Sequence, residues 1–206
     1  MAEEFFGDAT LLAERIGSAD GLAALRGAAE PARFVRVTDL PSLRRFLRDY
    51  ETQILVPLEF PAICQAHQCA SRYEVRELIE LDRRLAAQPQ EFATASQRVG
   101  KAQLKRLRPL RDQRLVQRYL GAVEAGEAHA WHTVVYGLIL ALYSLPLRQG
   151  LLSYARQTTR GFIDSAARSR RFTEEACRGL MEECGAGFPS AIDSVLSAIQ
   201  PGLLSV

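Results

Sequence analysis

The chain has 206 residues, 48% of them hydrophobic and 24% charged, and a formal net charge of +2. That length and balance fit one soluble globular domain with a sizeable core, and exclude a disordered tail, a collagen and a disulfide-dense mini-protein. The near-neutral charge gives no global field to draw the chain onto nucleic acid.

The acidic start, Met1 to Phe6, has no basic n-region, so no signal peptide is expected. The four thiols Cys64, Cys69, Cys177 and Cys184 are then expected to be reduced, in the cytoplasm. The most apolar run, residues 133–145, is shorter than the roughly 20 residues of a bilayer span and reads as a core helix, not a membrane segment.

Helical periodicity recurs from end to end. Leu11, Leu12 and Ile16 share one helical face over 9–16, and Gly17-Ser18-Ala19-Asp20-Gly21 breaks it before a short helix over 22–28. Thr38 and Asp39 are N-cap residues with Pro41 in the first turn. Leu43, Phe46, Leu47, Tyr50 and Ile54 then make an apolar stripe that should end near Pro57. A new helix is expected from about Pro61 to Ala70. Ser71 and Glu74 have capping-box spacing for a helix burying Val75, Leu78, Ile79, Leu81 and Leu85.

Helices are expected over 91–107 and 110–123, broken at Pro109, and an apolar helix over 130–143. Ser144-Leu145-Pro146 turns the chain into a long helix over 147–169. Segments 172–184, capped by Thr173, and 189–199 complete the pattern. No strand-like alternation of useful length appears. The sum is an all-α, bundle-like single domain, 1–206, of about ten helices. Residues 1–37 are expected to be a mobile N-terminal segment and 200–206 a short tail.

Each chemical constellation has a bland counterpart. Cys64, His67 and Cys69 are metal-ligand types on one short helix, but 64 and 67 share a face while 69 points elsewhere, so buried structural cysteines are expected. Cys177 and Cys184 lie two helical turns apart, too far for a mutual disulfide. His129 and His132, one turn apart, have the spacing to share a ligand, but lack the HExxH acid. A helix start with a half-exposed Trp131 is the expected reading. No nucleophile elbow or Walker-type loop is present. Arg98, Lys101, Lys105, Arg106, Arg108, Arg111, Arg114 and Arg118 form a basic run opposed only by Asp112. Without interleaved aromatics it reads as a solvated or partner-facing surface, not a nucleic-acid site. Glu74, Glu77, Glu80 and Asp82 form an acidic counterpart suited to docking or self-association. No catalytic, cofactor-binding or metal residue is assigned.

The order of these pieces resembles the UreF-type urease accessory proteins. The resemblance is carried by Gly17-Ser18-Ala19-Asp20-Gly21-Leu22, by Leu81-Asp82-Arg83-Arg84-Leu85, and most specifically by Ala95-Ser96-Gln97-Arg98-Val99-Gly100-Lys101 continuing to Leu107. Val134-Val135-Tyr136-Gly137, the turn from Ser144 to Tyr154, and Ile163-Asp164-Ser165-Ala166-Ala167-Arg168 follow in register. The chain departs after Arg168, where Ser169 to Glu174 replace the family's PLGQTxGQ, and at Thr133, where the family has proline.

The resemblance implies a non-enzymatic maturation factor without cofactors. It implies a homodimer within a complex that joins a UreD/UreH-type scaffold, a UreG-type GTPase and apo-urease during nickel insertion. By the same resemblance Gly17, Ser18, Asp20, Gly21, Leu22, Lys101 and Arg168 are candidate partner-binding residues. The alternatives are a divergent paralogue with changed partners, a helical chaperone for a molybdoenzyme, or a helical enzyme using His129 and His132 with a diffusible cofactor.

Overall fold

The computed structural model describes residues 37–87 and 93–199. Eight α-helices follow one another: α1 (Leu40–Tyr50), α2 (Phe60–Ser71), α3 (Val75–Ala86), α4 (Ala93–Arg106), α5 (Arg114–Glu124), α6 (His132–Leu142), α7 (Leu147–Arg170) and α8 (Glu174–Ile199). A π-helical segment, Glu51–Glu59, joins α1 to α2 without a break, so the described residues make seven helical rods and no strand. The expectation was about ten helices. Those expected over 9–16 and 22–28 lie outside the described residues, as do the tail 200–206 and all but the last residue of the N-terminal segment 1–37.

The start of α1 is as local chemistry dictates. Asp39 Oδ1 accepts from the Ser42 backbone N–H at 2.9 Å, and Ser42 Oγ accepts from the Asp39 N–H at 3.0 Å. Reciprocal capping of this kind satisfies two otherwise orphaned donors.

Four sequence expectations need correction. Pro57 does not end the first helix. It sits inside the π segment, where wider winding shifts the preceding turn's carbonyl from the position at which the proline ring would clash in an α-helix. Pro189 likewise lies within α8, with Phe188 and Ile192 beside it buried in the core, so 172–184 and 189–199 are one rod. Ser71 is the last residue of α2, and Glu74 caps α3 with no side-chain hydrogen bond, so no capping box forms there. Residues 107–113 are turns, and α5 begins at Arg114 instead of Leu110. Thr173 does accept from the Ala176 N–H, at 3.3 Å.

Helices α2 and α6 form the centre. Every residue from His132 to Leu140 is buried, the pattern of a helix enclosed on all sides. The pair packs closely because position 137 carries no Cβ: one built there would lie 2.5 Å from the Ile63 carbonyl oxygen. Two apolar clusters flank this pair. Tyr136 and Leu140 of α6 and Ile63 and Cys64 of α2 join α1, α7 and α8 in one. Val134, Val135, Leu138 and Ile139, with Ala66 and Ala70, join α3, α4 and α5 in the other. Among the described residues, no helix is long and apolar enough to cross a membrane.

Candidate functional site

Two polar clusters sit beside the central pair, one in each half. In the first, Asp82 is 0% exposed. It lies on the same α3 stripe as Val75, Leu78, Ile79 and Leu85, so its carboxylate faces inward. Three donors meet it: Tyr119 Oη at 2.6 Å, the His129 backbone N–H at 2.5 Å and the Trp131 backbone N–H at 3.2 Å. A buried carboxylate needs such partners. Here they fasten the strap from 125 to 131 onto α3. Asp82 therefore belongs to no acidic docking face, unlike exposed Glu77 and Glu80.

The strap is fastened on its other side by α4. Ser96 Oγ accepts from the His132 N–H at 3.0 Å, and Gly100 lies so close that an added Cβ would sit 2.0 Å from the Ala130 carbonyl oxygen. Ala130 itself adopts a left-handed φ of 56°. Trp131, expected to be half exposed, is 2% exposed, because this strap presses it into the core between α3, α4 and α6.

The second cluster surrounds Glu59, the last residue of the π segment. Tyr50 Oη donates to Glu59 Oε2 at 2.5 Å, and the Tyr154 hydroxyl of α7 makes a second hydrogen bond to that carboxyl. Burial raises the Glu59 carboxyl to about 7, although both hydroxyls pull it the other way. Burial and the neighbouring Glu59 push the Tyr50 and Tyr154 hydroxyls well above their usual range. Beyond Tyr154 stand Tyr136, its ring centroid 5.2 Å away, and His132, 5.4 Å away. Burial lowers His132 to about 4, so its ring is neutral at pH 7, and its Nε2 has no hydrogen-bond partner among the described residues.

The cysteine–histidine set does not converge. Cys64 packs into the cluster with α1 and α7, and Cys69 against the opposite cluster with α3 and α5. Burial pushes the Cys64 thiol up to about 11, away from the thiolate a metal requires. His67 is lowered by burial. Cys177 and Cys184 are free thiols, partly buried along α8. No group of three or more His, Cys, Asp or Glu side chains fit to hold a metal ion exists among the described residues. His129 is half buried, and neither it nor His132 joins such a group.

The surface holds the rest. All eight residues of the basic run are exposed on α4, α5 and the turns between, with Arg108 paired to Glu124. Arg98, Lys101 and Lys105 have the i, i+3, i+7 spacing of one helical stripe. Arg168 is exposed near the end of α7. Gly17, Ser18, Asp20, Gly21 and Leu22 lie outside the described residues. An open cleft of about 320 Å³ lies between the end of α2, the start of α5 and the end of α6, lined in part by Tyr73, Gln113, Leu138 and Ser144. Tyr73 and Ser144 both have positive φ, 59° and 53°.

The UreF family model matches residues 37–184, covering every element from α1 into α8. The chain belongs to the UreF family. UreF proteins are urease accessory proteins, so the role is in urease maturation. No curated protein matches the chain significantly. The matched span contains both polar clusters and the basic stripe.

The sequence reading missed Glu59 and misplaced Asp82. Each had a signal. Glu59 is a lone acid in the apolar stretch from Ile54 to Ile63, and Asp82 occupies an apolar-stripe position of α3. An acid where the pattern demands a hydrophobe marks an inward-facing, hydrogen-bonded carboxylate, fully buried at Asp82 and half-buried at Glu59.

Proposed function

We propose that the chain is a non-enzymatic adaptor of urease maturation. It acts in the cytoplasm as one domain, dimerises within its complex, and joins a UreD/UreH-type scaffold to a UreG-type GTPase for nickel insertion into apo-urease. The observation that carries this reading is the family match over 37–184. The polar groups support it, because they are spent on internal fastening. Asp82 and Glu59 hold the strap and the π segment, while the charged side chains that remain exposed suit recognition of a protein partner. Lys101, on the exposed stripe of α4, and Arg168, at the end of α7, are the described residues proposed to meet partners. The corner Gly17, Ser18, Asp20, Gly21 and Leu22 is proposed as a third contact. Neither nucleic acid nor membrane is part of this reading.

The test is reconstitution from purified components. The chain should co-elute with the scaffold and the GTPase, and the mixture should activate apo-urease with nickel. Lys101→Glu, Arg168→Glu and Ser18→Arg should each keep the wild-type Tm and weaken co-elution. Full co-elution and activation by all three variants would remove these residues from the interface. Failure of the wild-type chain to bind either partner would overturn the adaptor reading.

A further inference from the structure

Helices α2 and α6 end in the same motif, and both ends line one cleft. The Glu74 N–H reaches back to the Cys69 carbonyl at 2.9 Å and the Tyr73 N–H to the Ala70 carbonyl at 3.1 Å. The Leu145 N–H reaches the Leu140 carbonyl at 2.8 Å and the Ser144 N–H the Ala141 carbonyl at 3.1 Å. Each is a Schellman turn, whose left-handed position is usually glycine. Here those positions hold Tyr73 and Ser144, at φ 59° and 53°. Tyr73 is 73% exposed, so no burial offsets its backbone strain, and strain of this kind gathers at ligand clamps. Tyr143, 44% exposed, adjoins Ser144.

The cleft has an apolar floor, with Val116 of α5 and Leu138 and Leu142 of α6. Its rim is basic. Arg72 and Arg114 each adjoin a lining residue, and both are exposed, as is Arg111; the acids beside them are Asp112 and Glu74. The start of α5 lies there too, with no side-chain cap, and a helix N-terminus favours negative charge. An apolar floor with such a rim suits apolar side chains flanked by carboxylates. The chain itself carries that pattern in Glu3-Glu4-Phe5-Phe6-Gly7-Asp8. The other terminal stretch, 200–206, has no acidic side chain. Residues 9–36, which join this segment to Val37, reach up to roughly 90 Å when extended, against a radius of gyration of about 17 Å for a chain of this length. Tethering also keeps the segment at an effective concentration far above that of a free competitor.

We propose that residues 3–8 dock in this cleft of their own chain, with Phe5 and Phe6 against Val116, Leu138 and the Tyr73 ring, and Glu3, Glu4 and Asp8 facing Arg72, Arg111 and Arg114. The docked segment covers Tyr73, and a partner protein reaches this surface only by displacing it.

Photocross-linking of the full chain tests this. Phe6→p-benzoylphenylalanine, irradiated at low protein concentration, should give cross-links at monomer mass that map to 70–73, 113–116 or 138–144. Glu3→Lys with Glu4→Lys should cut that yield about tenfold, because like charges then face each other, and Arg72→Glu with Arg114→Glu in the same chain should restore it. Tyr73→Ala should cut the yield without changing the helical content read by circular dichroism. Cross-links that map elsewhere, or that appear only in covalent dimers and so assign the cleft to a second copy, would overturn the proposal. A yield indifferent to both the charge reversal and Tyr73→Ala would overturn it equally.

Discussion

The Tyr119 hydroxyl of α5 donates to Asp82 of α3 at 2.6 Å, across 37 residues of sequence. Both groups are buried, and the same carboxylate holds the His129 and Trp131 backbone N–H groups. Removing the carboxylate orphans three donors, whereas removing the hydroxyl leaves two in place. Asp82→Ala should cost about 3 kcal/mol or more, and Tyr119→Phe about 2 kcal/mol. In the Asp82→Ala background, Tyr119→Phe should cost almost nothing. Urea unfolding of the four proteins checks this, and strict additivity would refute the shared anchor.

Gly100 and Gly121 should respond oppositely to the same change. A Cβ at 100 would meet the Ala130 carbonyl at 2.0 Å, so Gly100→Ala should destabilise by about 1–3 kcal/mol. At 121, on the exposed face of α5, a Cβ meets nothing within 4 Å, and Gly121→Ala should stabilise by about 0.5–1 kcal/mol. Thermal melts of the two variants suffice.

The pH dependence of stability should show two opposed limbs. Glu59 releases its proton near 4.5 when unfolded and about 7 when folded, so the folded state binds more protons between these values and this contribution falls as pH rises. His132 takes up a proton near 6.5 when unfolded and about 4 when folded, so its contribution falls as pH drops below 6.5. Between 4.5 and 6.5 the two should largely cancel. Glu59→Gln should uncover a loss of stability on acidification, and His132→Phe a loss as pH rises towards 7. Denaturation midpoints across this range read both. Indistinguishable profiles for wild type and Glu59→Gln would place the titration elsewhere.

Tyr73 is 73% exposed and has a φ of 59°. A left-handed backbone costs a residue with a Cβ about 1–2 kcal/mol. Tyr73→Gly should therefore raise the Tm, while Tyr73→Ala should give no comparable gain. Equal melting of the two variants would mean that the backbone there is not strained.

The features legible in the sequence were those set by neighbours in the chain. Asp39, Pro41 and Ser42 mark the start of α1 because an N-cap is a contact three residues long. The apolar stripe of α3 announces its buried face through spacing, and the unbroken apolar run of α6 announces burial all round. The π segment was not legible, because Pro57 read as a stop and buried Tyr50, Leu55 and Phe60 recur at intervals of five that fit no α stripe. Pro189 misled for the same reason: neighbours packed against α8 carry a rod past a proline that would end an isolated helix. The inward position of Asp82 was visible, but its three donors come from residues 37 to 49 positions later, and only the fold reveals such pairings.

The wide winding between α1 and α2 also affects how this chain aligns with its kin. Nine residues there fill about two turns that α winding would fill with about seven. A relative presenting the same two buried faces with α winding would lack about two residues in the middle of an unbroken rod. Insertions and deletions are ordinarily placed in loops, so an alignment that forces this gap into the turn after Ser71 would misregister α2 and pair Glu59 with the wrong column.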